Sequence, residues 1–138
     1  MPLQLDIVTP EKKVFSETVD NVYLPGADGE LGVLPQHAGL VTALQPGELR
    51  YLHNGTVHHM AVGSGFAEIT QTHVVVLTDM ALGEAEIDIT HMEQAIQRAK
   101  EQLIAEEHSM NSEEVAFLQG AISRSAAAIS FKRRRGSY

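Results

Sequence analysis

Apolar positions follow two rhythms along this chain. Before the stretch Leu82–Thr90 they alternate every second position or gather in short β-branched runs, and after it they recur every three to four. The first spacing belongs to strands and the second to helices, so the change of period marks two units in succession.

The first unit opens with Leu3–Val8, which alternates and stops at Thr9-Pro10. Val14-Phe15 and Val19 follow, then Val22–Leu24 ending at Pro25-Gly26, with turn chemistry in Ala27-Asp28-Gly29. Leu31–Leu34 ends at Pro35, and Leu40–Leu44 ends at Pro46-Gly47. Leu49–Leu52 and Val57–Val62 flank Asn54-Gly55, the pair best suited to a type I′ hairpin turn. Phe66–Thr70 alternates again. His73–Thr78 is nearly all apolar, as for a strand buried on both faces or one at the centre of a sandwich. Strands so short and so regularly spaced predict an all-β sandwich or barrel of eight to ten strands, and no helical segment interrupts them to build parallel βαβ units.

Gly83 is placed to end the last strand. Asp88 and Thr90 are candidate helix N-caps, and Thr90 with Glu93 fits a capping box. Met92, Ala95, Ile96, Ala99, Leu103 and Ile104 then share one face, opposite Glu93, Gln94, Arg98, Glu101 and Gln102. The pattern breaks over Glu107–Asn111, where Asn111 with Glu114 fits a second capping box. Val115, Leu118, Ile122, Ala126 and Ile129 make a second stripe. So short a break predicts an antiparallel pair. The fold class expected is α+β: an N-terminal all-β sandwich over residues 1–84, then a C-terminal antiparallel two-helix hairpin with a basic tail over 85–138. The second helix reads as weakly built, because Gly120 disfavours helix and Ser123, Ser125 and Ala126–Ala128 bury little area. The hairpin is therefore either permanently docked or detachable.

Composition narrows the classes. At 43% hydrophobic residues the chain can bury a core. No window approaches the run of about 18 apolar residues that a membrane span needs. The N-terminus has no basic region of a signal peptide. There is no cysteine, which excludes disulfides and thiol chemistry. Residues 1–85 carry 3 basic and 10 acidic side chains, which argues against nucleic acid as a partner. The basic run Lys132–Arg135 fits either an acidic partner surface or a solvated, frayed tail.

Catalytic motifs are missing: there is no Gly-x-Ser-x-Gly and no P-loop. His58 and His59 are adjacent on a strand and point to opposite faces, so they do not share an ion. His53 falls across the hairpin from one of them. His91 and His108 are too far apart for a helical zinc motif. All read as surface histidines, with a histidine-based metalloenzyme as the rival reading. The most distinctive run is Gly29-Glu30-Leu31-Gly32-Val33-Leu34-Pro35-Gln36-His37-Ala38, which is either a tight sandwich corner or a rigid presented surface.

That run, with Leu40-Val41-Thr42-Ala43-Leu44-Gln45-Pro46-Gly47, resembles the epsilon subunit of bacterial and chloroplast rotary ATP synthases. Val62–Glu68 and Val74–Asp79 are similar to that family's later strands, and the resemblance runs from Leu3 to Phe131. It implies a non-catalytic place in the central stalk, between the gamma subunit and the membrane rotor ring, with proton translocation and ATP chemistry left to other chains. It implies that Glu30 faces the polar loops of the ring, and that His37 and the strand from Leu40 lie toward gamma. The family's hairpin folds down on the sandwich or extends into the catalytic head, where it blocks ATP hydrolysis. Arg124, Lys132, Arg133, Arg134 and Arg135 would then meet acidic loops of the alpha and beta subunits. The implied location is the cytoplasmic side of a bacterial inner membrane, held peripherally.

Some family members bind ATP through Ile/Leu-Asp-x-x-Arg-Ala at the start of the hairpin and arginines on the last helix. Here Asp88 is kept, but His91 and Met92 replace the arginine and alanine. Arg124 fits one arginine position, Ala128 takes the second, and Leu82 falls where an upstream acid belongs. The lost charges predict weak or absent ATP binding, since phosphate is best held by paired cations. The alternative function, from a different class, is a stand-alone nucleotide sensor built on Asp88 and Arg124.

Overall fold

The computed structural model describes residues 3–135, which form ten strands and two long helices. The strands are β1 (Leu3–Val8), β2 (Lys13–Val19), β3 (Asn21–Gly26), β4 (Gly29–Val33), β5 (Leu40–Leu44), β6 (Gly47–His53), β7 (Thr56–Val62), β8 (Gly65–Ile69), β9 (His73–Thr78) and β10 (Ala81–Leu82). The helices are α1 (Ile89–Ala105) and α2 (Ser112–Arg135). One layer runs β4-β3-β6-β7-β10 and the other β5-β8-β9-β1-β2. The layers are joined where Gly26 pairs with Leu44, and on the other side Phe15 of β2 meets the Tyr51 ring of β6 at 4.6 Å. All pairings are antiparallel except β1 with β9, where Leu5 lies beside Val74.

Period-two burial makes this a sandwich. In β1, Leu3, Leu5 and Ile7 face inward, and they meet Val22 and Leu24 of β3, Leu49 of β6, and Val74 and Val76 of β9 in one core. The β6–β7 hairpin turns at Asn54-Gly55, both with positive φ, as a type I′ turn requires. The strand expected to stop before Pro25-Gly26 includes both residues. Pro25 sits where the pairing of β3 passes from β6 to β5, a place where a missing N–H is tolerated. The apolar run of β9 is not buried on both faces: Val74, Val76 and Thr78 face the core while Leu77 is exposed. Its position is nonetheless inside its layer, between β8 and β1.

The hairpin starts at one of the two candidate caps of its first helix and at the candidate cap of its second. Asp88, not Thr90, caps α1, accepting a hydrogen bond from the His91 N–H at 3.1 Å. Asn111 caps α2 by accepting from the Glu114 N–H at 2.9 Å. Ile104, expected on the buried stripe of α1, is exposed. The basic run is not frayed, because α2 continues through Arg135. The hairpin lies against the outer face of the β3-β6-β7-β10 layer, chiefly through the C-terminal half of α2. Phe131 and Ala128 are fully buried there with Ala61 of β7 and Ile87 of the linker. Phe131 lies beyond the stripe the spacing picked out, and it supplies the docking area that the small residues lack.

Candidate interaction surfaces

The Gly29–Ala38 run divides between a strand and a loop. In β4, Glu30 is paired with Arg50 of β6 at 3.1 Å. The Arg50 guanidinium lies 4.7 Å over the ring of Tyr23, on the intervening strand β3. Beyond β4, Gln36 adopts φ 70°, and its N–H donates to the Gln71 carbonyl in the β8–β9 turn at 2.9 Å. The His37 ring is 2.7 Å from the Ala38 carbonyl. A loop held this way presents Leu34 and Leu40 to solvent in fixed positions.

Leu40 itself has the core parity of β5, opposite Ile69, and the next residue, Val41, turns outward onto a larger apolar face. The outer side of the β5-β8-β9-β1 layer is uncovered, and the pairings set Ala43, Phe66, Leu77 and Val8 in one row across four strands. Val41 is 67% exposed, Phe66 59% and Leu77 52%. Single exposed apolar residues are ordinary, but a contiguous patch marks a contact surface. The signal for Phe66 was in the sequence: Ala67 and Ile69 occupy the core parity of β8, which sends Phe66 and Glu68 outward.

The cations of α2 all have acidic or carbonyl partners. Arg124 meets Asp79 at 3.1 Å, Arg134 meets Glu48 at 3.5 Å, Arg135 meets Glu84 at 3.7 Å, and Arg133 meets Glu93 of α1 at 3.4 Å. Lys132 donates to the Ile87 carbonyl. Gly63 makes room for the first pair, since a Cβ there would lie 1.9 Å from an Asp79 carboxylate oxygen. Glu48 also meets His59 at 3.0 Å.

The candidate nucleotide residues serve separate local contacts. Asp88 caps α1, and Arg124 holds Asp79. A cleft of 580 Å³ between α1 and α2 is lined by Glu93, Ile96, Ile129 and Arg133 among others, and neither Asp88 nor Arg124 lines it. Among the histidines, His58 and His59 do point to opposite faces: His58 stacks on Tyr51 at 5.0 Å, with His53 at 6.2 Å, while His59 meets Glu48. No three metal-ligating side chains gather among the described residues. Burial pushes the Tyr51 phenol above its ordinary value, and the Glu17 charge adds to the push. The Ser16 hydroxyl, donating to Asp6 at 2.5 Å, holds that carboxyl below the usual range.

Comparison with known proteins matches the same elements. The model of the ATP synthase delta/epsilon chain β-sandwich domain fits residues 2–84. An ATP synthase epsilon chain of Desulforamulus reducens is 48% identical over 127 residues, covering 91% of this chain and 96% of its own. One of Herpetosiphon aurantiacus is 41% identical over 135 residues, covering 98% and 97%. Among solved structures, a chain of the Euglena gracilis mitochondrial ATP synthase (OSCP, F1 and c-ring) shares the fold with a TM-score of 0.68 at 21% identity, over 99% of this chain and 82% of that one.

Proposed function

The chain belongs to the ATP synthase epsilon-chain family, and from that premise we propose that it is a non-catalytic rotor subunit joining the gamma subunit to the membrane ring. The observation that carries this reading is the uncovered apolar face with Val41, Phe66 and Leu77, on the side of the sandwich away from the hairpin. A folded chain leaves such a face open when another protein covers it, and gamma is the occupant the family implies, with His37 and Leu40 at the border. Glu30, on the edge strand β4, meets polar loops of the ring. The complex holds the chain peripherally on the cytoplasmic side of a bacterial inner membrane. No helix among the described residues is long and apolar enough to cross one.

The hairpin is the regulatory part. Docked, the arginines of α2 face acids of the same chain; released, Arg124 and Lys132–Arg135 face acidic loops of the alpha and beta subunits and restrain ATP hydrolysis. ATP binds weakly or not at all, because Asp88 and Arg124 serve a helix cap and an ion pair. Calorimetry with ATP tests this, and clear binding at millimolar concentration or better would contradict it.

Pull-down with a folded gamma subunit tests the main reading. Wild-type chain should bind. Phe66→Ser with Leu77→Ser should abolish binding while leaving the melting temperature near wild type, since both side chains already face solvent. Failure of the wild type to bind would remove the reading.

A further inference from the structure

The pair Glu30–Arg50 does not join neighbouring strands. Glu30 stands on β4 and Arg50 on β6, with β3 between them. Strands two apart in a sheet are separated by about 10 Å, so both side chains must lean over the middle strand to meet. What they lean over is Tyr23. It pairs with Arg50 on one side and with Gly32 on the other, and its ring carries the guanidinium. A planar guanidinium on an aromatic face is restricted in a way a free arginine is not.

Gly32 is part of the same arrangement. A Cβ at this position would lie 2.9 Å from Cε1 and 3.2 Å from Cδ1 of Tyr23. The second glycine of Gly29-Glu30-Leu31-Gly32 therefore leaves space for the ring that seats Arg50. Glycine inside a strand weakens it, and an ion pair this open adds little stability: the side chains of Arg50 and Glu30 are 34% and 55% exposed. A local loss of stability without a matching gain is the mark of a contact built for something outside the fold.

Arg50 engages Oε1 of Glu30, and among the described residues nothing donates to Oε2. We propose that Arg50, seated on Tyr23, is the positioning residue of the ring-facing contact: it fixes the Glu30 carboxylate so that Oε2 accepts a hydrogen bond from an amide, hydroxyl or ammonium on the partner's polar loops. The inference rests on the reading of Glu30 given above. A carboxylate already fixed loses less rotamer freedom on binding than a free one on an edge strand.

The test uses gamma with this chain assembled on the isolated ring. It reads retention of the ring together with the melting temperature of the chain. Glu30→Gln should weaken retention on the order of tenfold, the scale of one charge-assisted hydrogen bond. Arg50→Gln should weaken it about threefold without lowering the melting temperature, and Arg50→Lys should rescue it only in part, because an ammonium has no plane to stack. With Glu30→Gln already present, Arg50→Gln should add nothing. Loss with Glu30→Gln but full retention with Arg50→Gln would overturn the positioning role and leave the ring reading standing. Full retention with Glu30→Gln would remove both. A fall in melting temperature matching the loss of retention in Arg50→Gln would make the pair structural and overturn the proposal.

Discussion

Tyr51 shows how much one buried polar side chain can fix. Its ring is packed by Phe15 and by His58, and it belongs to the sandwich core. Burial favours the neutral phenol, so the folded chain holds this proton to higher pH than the unfolded chain, whose tyrosines ionise near 10. The stability linked to it is whole below that pH and is lost as pH rises through the folded value. Urea midpoints at pH 8 and pH 11 should therefore fall further apart in the wild type than in Tyr51→Phe. At this scale the sequence was partly legible. Parity along the β6–β7 hairpin separated His58 from His59, because strand alternation is a local property. The partners of Glu30 and Arg124 were not legible, since Arg50 and Asp79 reach them only through strand pairing and docking that no local spacing encodes.

Elements were more legible than their contacts. The strands announced themselves by alternation and by turn residues such as Asn54-Gly55, and the hairpin by its change of period. The caps were ambiguous because Asp88 and Thr90 both satisfy the chemistry of a helix start, and only the folded linker, with Glu86 accepting from the Gly83 N–H at 3.0 Å, leaves Asp88 at the boundary. The docking of α2 was underestimated because Phe131 falls outside the stripe of Val115 to Ile129. Phe131→Ala should cost about 3–5 kcal/mol in hairpin docking, the usual range for a buried phenylalanine. Hydrogen exchange should report this as faster exchange in the C-terminal half of α2, with β1 and β9 unchanged. Arg124–Asp79, Arg134–Glu48 and Arg135–Glu84 tie the same helix to the sandwich and linker. Each exposed pair is worth roughly 0.2–1 kcal/mol and is screened by salt. Raising ionic strength should therefore speed α2 exchange in the wild type, and less so when Glu48→Gln and Asp79→Asn are present.

The whole molecule is three layers: a helical hairpin, the β3-β6-β7-β10 layer beneath it, and the β5-β8-β9-β1 layer with its outer face uncovered. The main core closes without the hairpin, since its buried residues all come from β1 to β10. Truncation after Asp88 should therefore leave a folded chain that still assembles with gamma, and ATP hydrolysis by the complex should rise; unchanged hydrolysis would count against the inhibitory role. The parallel pairing of β1 with β9 has a consequence for synthesis. The first strand to leave the ribosome meets β2 at once, but its other neighbour is made about 70 residues later, a wait on the order of several seconds at the usual pace of translation. Until then the pairing edge of β1 is open and Leu3, Leu5 and Ile7 lack their final cover. The nascent chain therefore carries an open strand edge and uncovered apolar side chains until β9 has been made, and α2 follows to find its docking surface already assembled.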